Sequence, residues 1–339
     1  MLSNLFLSIA VTSYSRVDEL ERCLLSIDSS LIGDVEIIVS EDCSPKKIEI
    51  RSLVEKIAQT SQFVIKFNSN EINIGYDRNI KKLIDMASGE YILFITDDDK
   101  FSQGALDKLI RQLKKNSPAF LLTPFRHVKS GLVQRKYSNS HHIAGGLKSV
   151  NKYLFDNILV SGLVFKRSLI PAYEETKLDK LIYTQVYIFC VIALRNEGGY
   201  LDVELIECIE DGENAYGKSS SNLNEDLADR SRPISNLEFN KGLIRIVRMF
   251  DDDYNTSVHK MFSQEYSFRS WTGLSESKRI SQNEMRNYFE KLIALDVKYN
   301  ICPYLYFGVL TLFGYPFSQI IFAFPKYTVK KIRSLISFL

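Results

Sequence analysis

Short apolar runs alternate with longer amphipathic stretches along the first third of the chain. Leu7-Ser8-Ile9-Ala10-Val11 alternates and predicts a first strand, ending at Thr12-Ser13-Tyr14. Ser15-x-x-Asp18 has capping-box spacing and opens a predicted helix carrying Val17, Leu20, Leu24, Leu25 and Ile27. Val35–Val39 predicts a second strand, followed by Ser40-Glu41-Asp42-Cys43 and then Ser44-Pro45, an N-cap with proline at the first helical position. Phe63–Phe67 predicts a third strand, Asn70–Tyr76 a polar loop, and Asp77 the start of a helix through Ile80, Leu83, Ile84 and Ala87. Tyr91–Ile95 is a continuous β-branched and aromatic run, which reads as a strand buried on both faces. A helix over Ser102–Lys115 and a fifth strand over Ala119–Thr123 complete the alternation. Strand following helix following strand predicts an α/β fold with a doubly wound, mostly parallel sheet.

The pattern changes after residue 125. His141-His142 ahead of Gly145-Gly146 marks a flexible loop, with the histidines read as a solvated pair in preference to metal ligands. Val160–Arg167 predicts another strand, and Glu210 to Asn222 is a polar loop long enough to be a lid or a disordered stretch. From residue 226 the spacing turns helical, with amphipathic runs at Phe239–Phe250, Val258–Phe268 and Met285–Leu295 and the single tryptophan, Trp271, read as core. Tyr304–Phe324 carries no charge and is long enough to span a bilayer. Gly308, Gly314, Pro316 and Gln319 interrupt it, which favours equally a re-entrant or surface-lying pair of helices. Val329, Ile332, Leu335, Ile336 and Leu339 then recur at helical spacing among Lys326, Lys330, Lys331 and Arg333. A basic amphipathic helix beside an apolar stretch suits an anionic leaflet; a dimer or domain interface is the alternative. The expected organisation is thus 1–125, 126–225 as the second half of the same domain, a helical extension over 226–300, and a membrane-associating tail over 301–339.

Composition narrows the class. The 339 residues, 45% apolar and 25% charged, are those of an ordinary globular protein with ample core. A net charge of +2 argues against nucleic acid as a partner. Five cysteines without a C-x-x-C pair suit reduced thiols in a cytosolic setting. Met1–Leu7 lacks a basic leader, so no signal peptide is expected.

The candidate chemistry begins at Asp97-Asp98-Asp99, directly after the central strand. Ligands bind at the carboxyl edge of an open α/β sheet. Clustered carboxylates repel by roughly a few tenths to a few kcal/mol unless a cation or strong donors lie among them. One reading is a divalent-metal site with oxygen ligands for Mg²⁺ or Mn²⁺; the other is a solvated acidic turn capping the next helix. Asp251-Asp252-Asp253 is an internal control, since it follows helical spacing and reads as a solvated helix end. Thr12-Ser13-Tyr14, Asp42 and Asp97–Asp99 all fall at strand ends that converge on one edge. A hydroxyl, a ring and an isolated carboxylate are what a nucleoside pocket requires.

These residues also carry a resemblance. Ile9–Arg16, Val39–Ser44, Asn73-Ile74-Gly75-Tyr76-Asp77-Arg78-Asn79 and Gly89–Asp99 together resemble the nucleotide-sugar half of a GT-A fold glycosyltransferase of family 2, most like its bacterial abequosyltransferase-type branch. The resemblance implies a Rossmann-like sheet in which Thr12, Tyr14 and Asp42 hold the nucleoside and Arg78 lies near the diphosphate. Asp97–Asp99 correspond to the D-x-D region, with Thr96 where the family commonly has its first Asp. Asp98 and Asp99 are then the metal ligands, and Asp97 meets the ribose. The family's Glu-Asp dipeptide is not clearly present. Asp179 is the candidate base, with Glu174 and Glu175 competing. The expected activity is inverting, Mn²⁺- or Mg²⁺-dependent transfer of a sugar from a nucleotide donor, a UDP-sugar by preference, to a lipid-linked oligosaccharide acceptor of a bacterial surface glycan. The expected place is the cytoplasmic face of the plasma membrane, peripheral or monotopic. Two other readings stand beside it: a non-catalytic glycan-binding or scaffold subunit at the membrane, and a sugar-nucleotide pyrophosphorylase. The latter is disfavoured because Thr12–Arg16 contains no glycine for a phosphate loop.

Overall fold

The structure, a computed structural model, describes residues 5–174, 176–209, 211, 232–297 and 300–336, with backbone alone at 296 and 319–336. Glu175, Glu210 and the polar loop residues 212–222, Lys298, Leu339 and the side chains of Lys326, Lys330, Lys331 and Arg333 lie outside the described residues. Two compact units divide the chain: Met1–Asn224 with Arg245–Val258, and Glu225–Ile244 with His259–Leu339.

The first unit is built on strands β1 (Leu7–Ser13), β2 (Val35–Glu41), β3 (Val64–Ser69) and β4 (Tyr91–Thr96), separated by helices α1 (Val17–Leu25), α2 (Lys47–Thr60) and α3 (Tyr76–Met86). All four strands are parallel, in the order β3-β2-β1-β4. β1 is buried on both faces apart from Thr12, as expected where helices cover a parallel sheet. Its register sets the site. Val11 pairs with Val39 and Ile95, and Thr12 with Ser40 and Thr96, so three strands end in one row.

Beyond β4 the sheet changes sense. β5 (Asp99–Phe101), α4 (Ala105–Asn116), β6 (Phe120–Leu122), β7 (Phe125–His127), β8 (Val133–Gln134), β9 (His141–Ile143), α5 (Leu147–Tyr153), β10 (Val164–Lys166), α6 (Thr184–Arg195), β11 (Gly198–Tyr200) and β12 (Ile206–Cys208) follow. β10 lies antiparallel between β4 and β6, and β11 and β9 extend that edge. β5, β12, β7 and β8 form a second small sheet.

Several local expectations are corrected. Ser15 does not cap α1, because its backbone is left-handed (φ 62°) and the helix begins at Val17. Ser44-Pro45 forms a turn closed by Lys47 N–H on the Ser44 carbonyl (3.2 Å), so α2 starts at Lys47. The predicted strand Val160–Arg167 is pared to Val164–Lys166, since Gly162 turns the chain at φ 88°. His141-His142 lies in a strand. The His141 ring meets the Tyr153 hydroxyl (3.1 Å) and leans on Tyr200, while His142 Nε2 faces Glu197 Oε2 at 3.1 Å. The second acidic triplet ends the helix Pro233–Tyr254, but two of its members are engaged. Asp251 accepts from Val258 N–H (2.8 Å), and Asp253 pairs with Lys177 and the Tyr187 hydroxyl (both 2.5 Å). Asp252 alone of the three matches the solvated reading: it is exposed, and its neighbours hold the bonds.

The second unit contains helices Val258–Arg269, Trp271–Ile280, Gln282–Leu292 and the C-terminal helix Ile301–Ile336. Ser281 caps the third by accepting from Glu284 N–H (3.0 Å). Trp271 is core, edge-on to Tyr306. The C-terminal helix is broken at Gly314 (φ 69°, ψ 175°), where the conformation is open to glycine and closed to most other residues.

Candidate active site

Asp97 N–H bonds the Thr12 carbonyl (3.2 Å) and Asp42 N–H the Ser13 carbonyl (3.1 Å), so the ladder itself carries both carboxylates to the end of β1. The three aspartates then part. Asp97 is buried and accepts from Tyr14 N–H (3.0 Å) and Arg16 Nη1 (2.9 Å). The same Arg16 nitrogen lies 3.1 Å from Asp98 Oδ2, so one guanidinium bridges two carboxylates. The left-handed turn at Ser15 precedes it. Burial pushes the Asp97 carboxyl up to about 7 against the pull of Arg16, and the Asp98 charge adds to the rise. Asp99 is buried and accepts from Thr96 Oγ1 (3.1 Å); burial, then the Asp98 charge, push it up to about 6. Asp98 is the most open of the three, its side chain 26% exposed. Ser161 Oγ accepts from Thr96 N–H (3.1 Å) and ties the loop before β10 to this strand end.

Asp42 accepts from Asn70 Nδ2 (2.9 Å), Ile74 N–H (2.9 Å) and Gly75 N–H (2.8 Å). Three of its roughly four acceptor positions therefore brace the loop Asn70–Gly75. Gly75, at φ 84°, gives the turn that aims its N–H at the carboxylate. Glu41 takes Cys43 N–H (3.0 Å) and Ser44 N–H (2.6 Å), and the backbone at Cys43 is left-handed as well (φ 51°). Tyr14 is half-buried and bonded to Asn73; burial and nearby carboxylates raise its hydroxyl above the usual range. Ser13 Oγ, Asn73 Oδ1 and Arg78 Nε are buried at or near this edge with no hydrogen-bond partner.

Arg78 Nη2 lies 2.8 Å from Asp179 Oδ2, so the residues expected at the diphosphate and at the acceptor meet. Glu174 is exposed. Asp77 is buried and accepts from Leu181 N–H (2.9 Å), Ile182 N–H (2.7 Å), Thr184 Oγ1 (2.7 Å) and Thr184 N–H (3.3 Å). Lys180 (φ 61°) and Ile182 (φ 69°) are both left-handed, a conformation that costs about 1–3 kcal/mol per non-glycine residue and needs a partner to hold it. Sequence reading missed the parts played by Arg16, Asp77 and Ser161. Arg16 had a signal, as the one basic residue in the turn after the first strand; Asp77 had none, since an Asp opening a helix has an ordinary dipole role. Among the described residues, no three His, Cys, Asp or Glu side chains meet as a metal cage.

Glycosyl transferase family 2 matches residues 8–179, which include the three strand ends, Asp77, Arg78 and Asp179 but not Lys180–Thr184. The chain belongs to that family. As a family 2 glycosyltransferase it is an enzyme, which sets aside the scaffold and pyrophosphorylase readings. It is 27% identical over 172 residues to the GalNAc(5)-diNAcBac-PP-undecaprenol beta-1,3-glucosyltransferase of Campylobacter jejuni, covering 48% of this chain and 52% of that one. It is 26% identical over 119 residues to the abequosyltransferase RfbV of Salmonella typhimurium, covering 34% and 35%. The chain thus matches about half the length of the first relative and a third of the second. In fold it is similar to S. aureus TarS 1-349 in complex with UDP-GlcNAc (TM-score 0.58, 16% identity, 93% of this chain and 90% of that one). It is also similar to the mannosyltransferase PcManGT of Pyrobaculum calidifontis in complex with GDP-Man and Mn²⁺ (TM-score 0.53, 10% identity, 98% and 80%). The mixed α/β sheet followed by helices is the GT-A arrangement expected from the sequence.

Proposed function

We propose that this family 2 glycosyltransferase moves one sugar, with inversion, from a UDP-sugar to a hydroxyl of a lipid-linked bacterial surface glycan at the cytoplasmic face of the membrane. The observation that carries the donor half is the single row formed by Thr12, Ser40 and Thr96, from which Tyr14, Asp42 and Asp97–Asp99 continue. The unpartnered Ser13 Oγ, Asn73 Oδ1 and Arg78 Nε supply polar groups that a nucleoside diphosphate would satisfy. The C. jejuni relative is named for an undecaprenol-linked substrate, which supports the acceptor class.

The residues at the acidic strand end fit a divalent cation. Burial holds both Asp97 and Asp99 above the ordinary carboxylate range and the Asp98 charge adds to both; Arg16 offsets part of the rise at Asp97, and hydrogen bonds from Ser161 and Thr96 part of that at Asp99. Hard oxygen donors of this kind suit Mn²⁺ or Mg²⁺. Asp98 and Asp99 would hold the ion, which when bound supplies Lewis-acid neutralisation of the departing diphosphate. Arg16 orients Asp97 for the ribose, Arg78 contributes charge toward the diphosphate, and Asp179 accepts the proton of the incoming hydroxyl.

Thermal melting with a panel of nucleoside diphosphates and their sugars, with and without Mn²⁺, tests the donor reading. A ligand at 100 times its dissociation constant adds about 2.7 kcal/mol. No stabilisation by any nucleotide in the presence of the metal would sink it. Within that reading, Asp42→Ala should weaken UDP binding by about 1.5–3 kcal/mol, because it removes charge-assisted bonds and frees the loop that they brace. Calorimetry with UDP measures this, and an unchanged affinity removes Asp42 from the site.

A further inference from the structure

Three consecutive residues at the start of α3 reach one and the same stretch of chain. Tyr76 donates its hydroxyl to Gln185 Oε1 (3.2 Å), Asp77 takes the donors of Leu181, Ile182 and Thr184, and Arg78 pairs with Asp179. Of the outer two, Arg78 and Asp179 are both partly exposed, so a ligand can compete for that pair, whereas the Tyr76 hydroxyl meets a buried Gln185. The middle one is buried, and three of its four donors are backbone amides.

The stretch it grips is not in a relaxed conformation. Lys180 and Ile182 both have positive φ, and Ile182 is β-branched, the side-chain class least suited to that region. The amides of Leu181 and Ile182, which converge on Asp77 Oδ2, are bound to one carboxylate oxygen because of this turn. Asp179 lies two residues before Leu181.

We propose that Asp77 is a positioning residue for the transfer reaction: its buried carboxylate holds the backbone of Leu181–Thr184 and so fixes Asp179 independently of Arg78. The proposal rests on the reading of Asp179 as base and of Arg78 as a diphosphate ligand. While Arg78 holds Asp179, the pair keeps the base in place but occupies one of its carboxylate oxygens. When the diphosphate draws the guanidinium away, that oxygen of Asp179 is freed to accept a proton, and the carboxylate must not drift. The clamp supplies this, since its four donors belong to the segment itself and none is given up to the donor sugar. A displacement of about 1 Å at such a base costs on the order of 100-fold in rate.

The test uses the full chain in four forms: wild type, Asp77→Asn, Asp179→Asn and the double variant. Asp77→Asn should speed deuterium uptake in the peptide covering Leu178–Gln185, leave UDP affinity unchanged, and lower UDP-GlcNAc hydrolysis by about 100-fold through kcat. Asp179→Asn should lower hydrolysis without changing uptake. The double variant should be no slower than Asp179→Asn, because both act on one proton transfer. Unchanged uptake in Asp77→Asn overturns the clamp. A loss of UDP affinity as large as the loss of hydrolysis, or a double variant that multiplies the two losses, overturns the positioning role. If Asp77→Asn does not fold, Thr184→Val removes one of the four donors and is read by the same criteria. A wild-type chain that binds no UDP defeats the donor reading, while uptake measured without nucleotide still decides the clamp.

Discussion

Asp98→Asn and Asp99→Asn should each abolish sugar transfer and leave the chain folded, while Asp252→Asn should leave transfer unchanged. Asp98 keeps a quarter of its side chain in solvent, and its contact with Arg16 is shared with Asp97, so the fold loses little when its charge is removed. Asp99 is buried, but burial already pushes its carboxyl up to about 6. A neutral amide there resembles the protonated form that burial favours, and it keeps an oxygen for the Thr96 hydroxyl. On the proposed function, what neither amide can replace is negative charge facing the cation that would neutralise the leaving diphosphate. Removing one preorganised electrostatic partner of a transition state costs about 10²–10³ in rate, and on that reading the two aspartates would serve the same ion. Asp252 is exposed at a helix end, where Asp251 and Asp253 hold the structural bonds. Mn²⁺-dependent turnover of the UDP-sugar together with thermal melting checks all three. Equal losses at Asp98 and Asp252 would remove the distinction between the two triplets.

The parallel half of the fold was legible because its signal is local. β1, β2 and β4 are short, largely apolar runs buried on both faces, which marks them as inner strands of a parallel sheet. The shared edge followed from the same signal: once the strands are parallel and in register, Thr12, Asp42 and Asp97 come to one side of the sheet. The second half was not legible in this way. β10 has only three residues, Val164-Phe165-Lys166, and nothing in them says antiparallel; its neighbours β4 and β6 decide it. Capping failed for a similar reason, since Ser15 and Cys43 adopt left-handed backbones that place Arg16 and Ser44 against carboxylates of the strand ends. Strand-end turns that serve a site depart from local preference. The pairing of Arg78 with Asp179, and the grip of Asp77 on Leu181–Thr184, join residues about a hundred positions apart and leave no periodic trace. Asp42 shows the remaining limit. Sequence offered a nucleoside ligand or a brace, and the structure shows the brace, with roughly one acceptor position left over.

The 339-residue chain should sediment with membranes, resist a high-salt wash and yield to detergent. The C-terminal helix uses one face within its own unit: Tyr306 and Leu310 are buried, Trp271 meets Tyr306 edge-on, and Phe289 stacks on Phe307 at 4.3 Å. Its other face leaves Ile301 77%, Leu312 79% and Phe317 67% exposed, with Leu305 and Phe313 about half exposed. Ile301–Ser318 contains no charged residue and is long and apolar enough to cross a bilayer, and the break at Gly314 equally allows two segments lying at the surface. Burying those side chains in lipid gains about 25 cal/mol per Å², a term that salt does not weaken. Lys326, Lys330, Lys331 and Arg333 follow in the sequence with no acidic residue among them, each adding about 1 kcal/mol near an anionic leaflet, a term that salt does screen. The two terms separate by experiment. Reversing the charge of Lys330, Lys331 and Arg333 should weaken binding to anionic vesicles more than to neutral ones, whereas Leu312→Glu with Phe317→Glu should weaken both. Ending the chain at Tyr299 is the wrong truncation, because it strips Tyr306 and Leu310 from the core of the second unit. Ending it after Ser318 keeps that core, and such a chain should still bind UDP, since the donor-site residues all lie before residue 100. If the 339-residue chain stays in the supernatant without detergent, and the glutamate pair changes only its oligomeric state, the exposed face is a protein interface and the membrane reading is wrong.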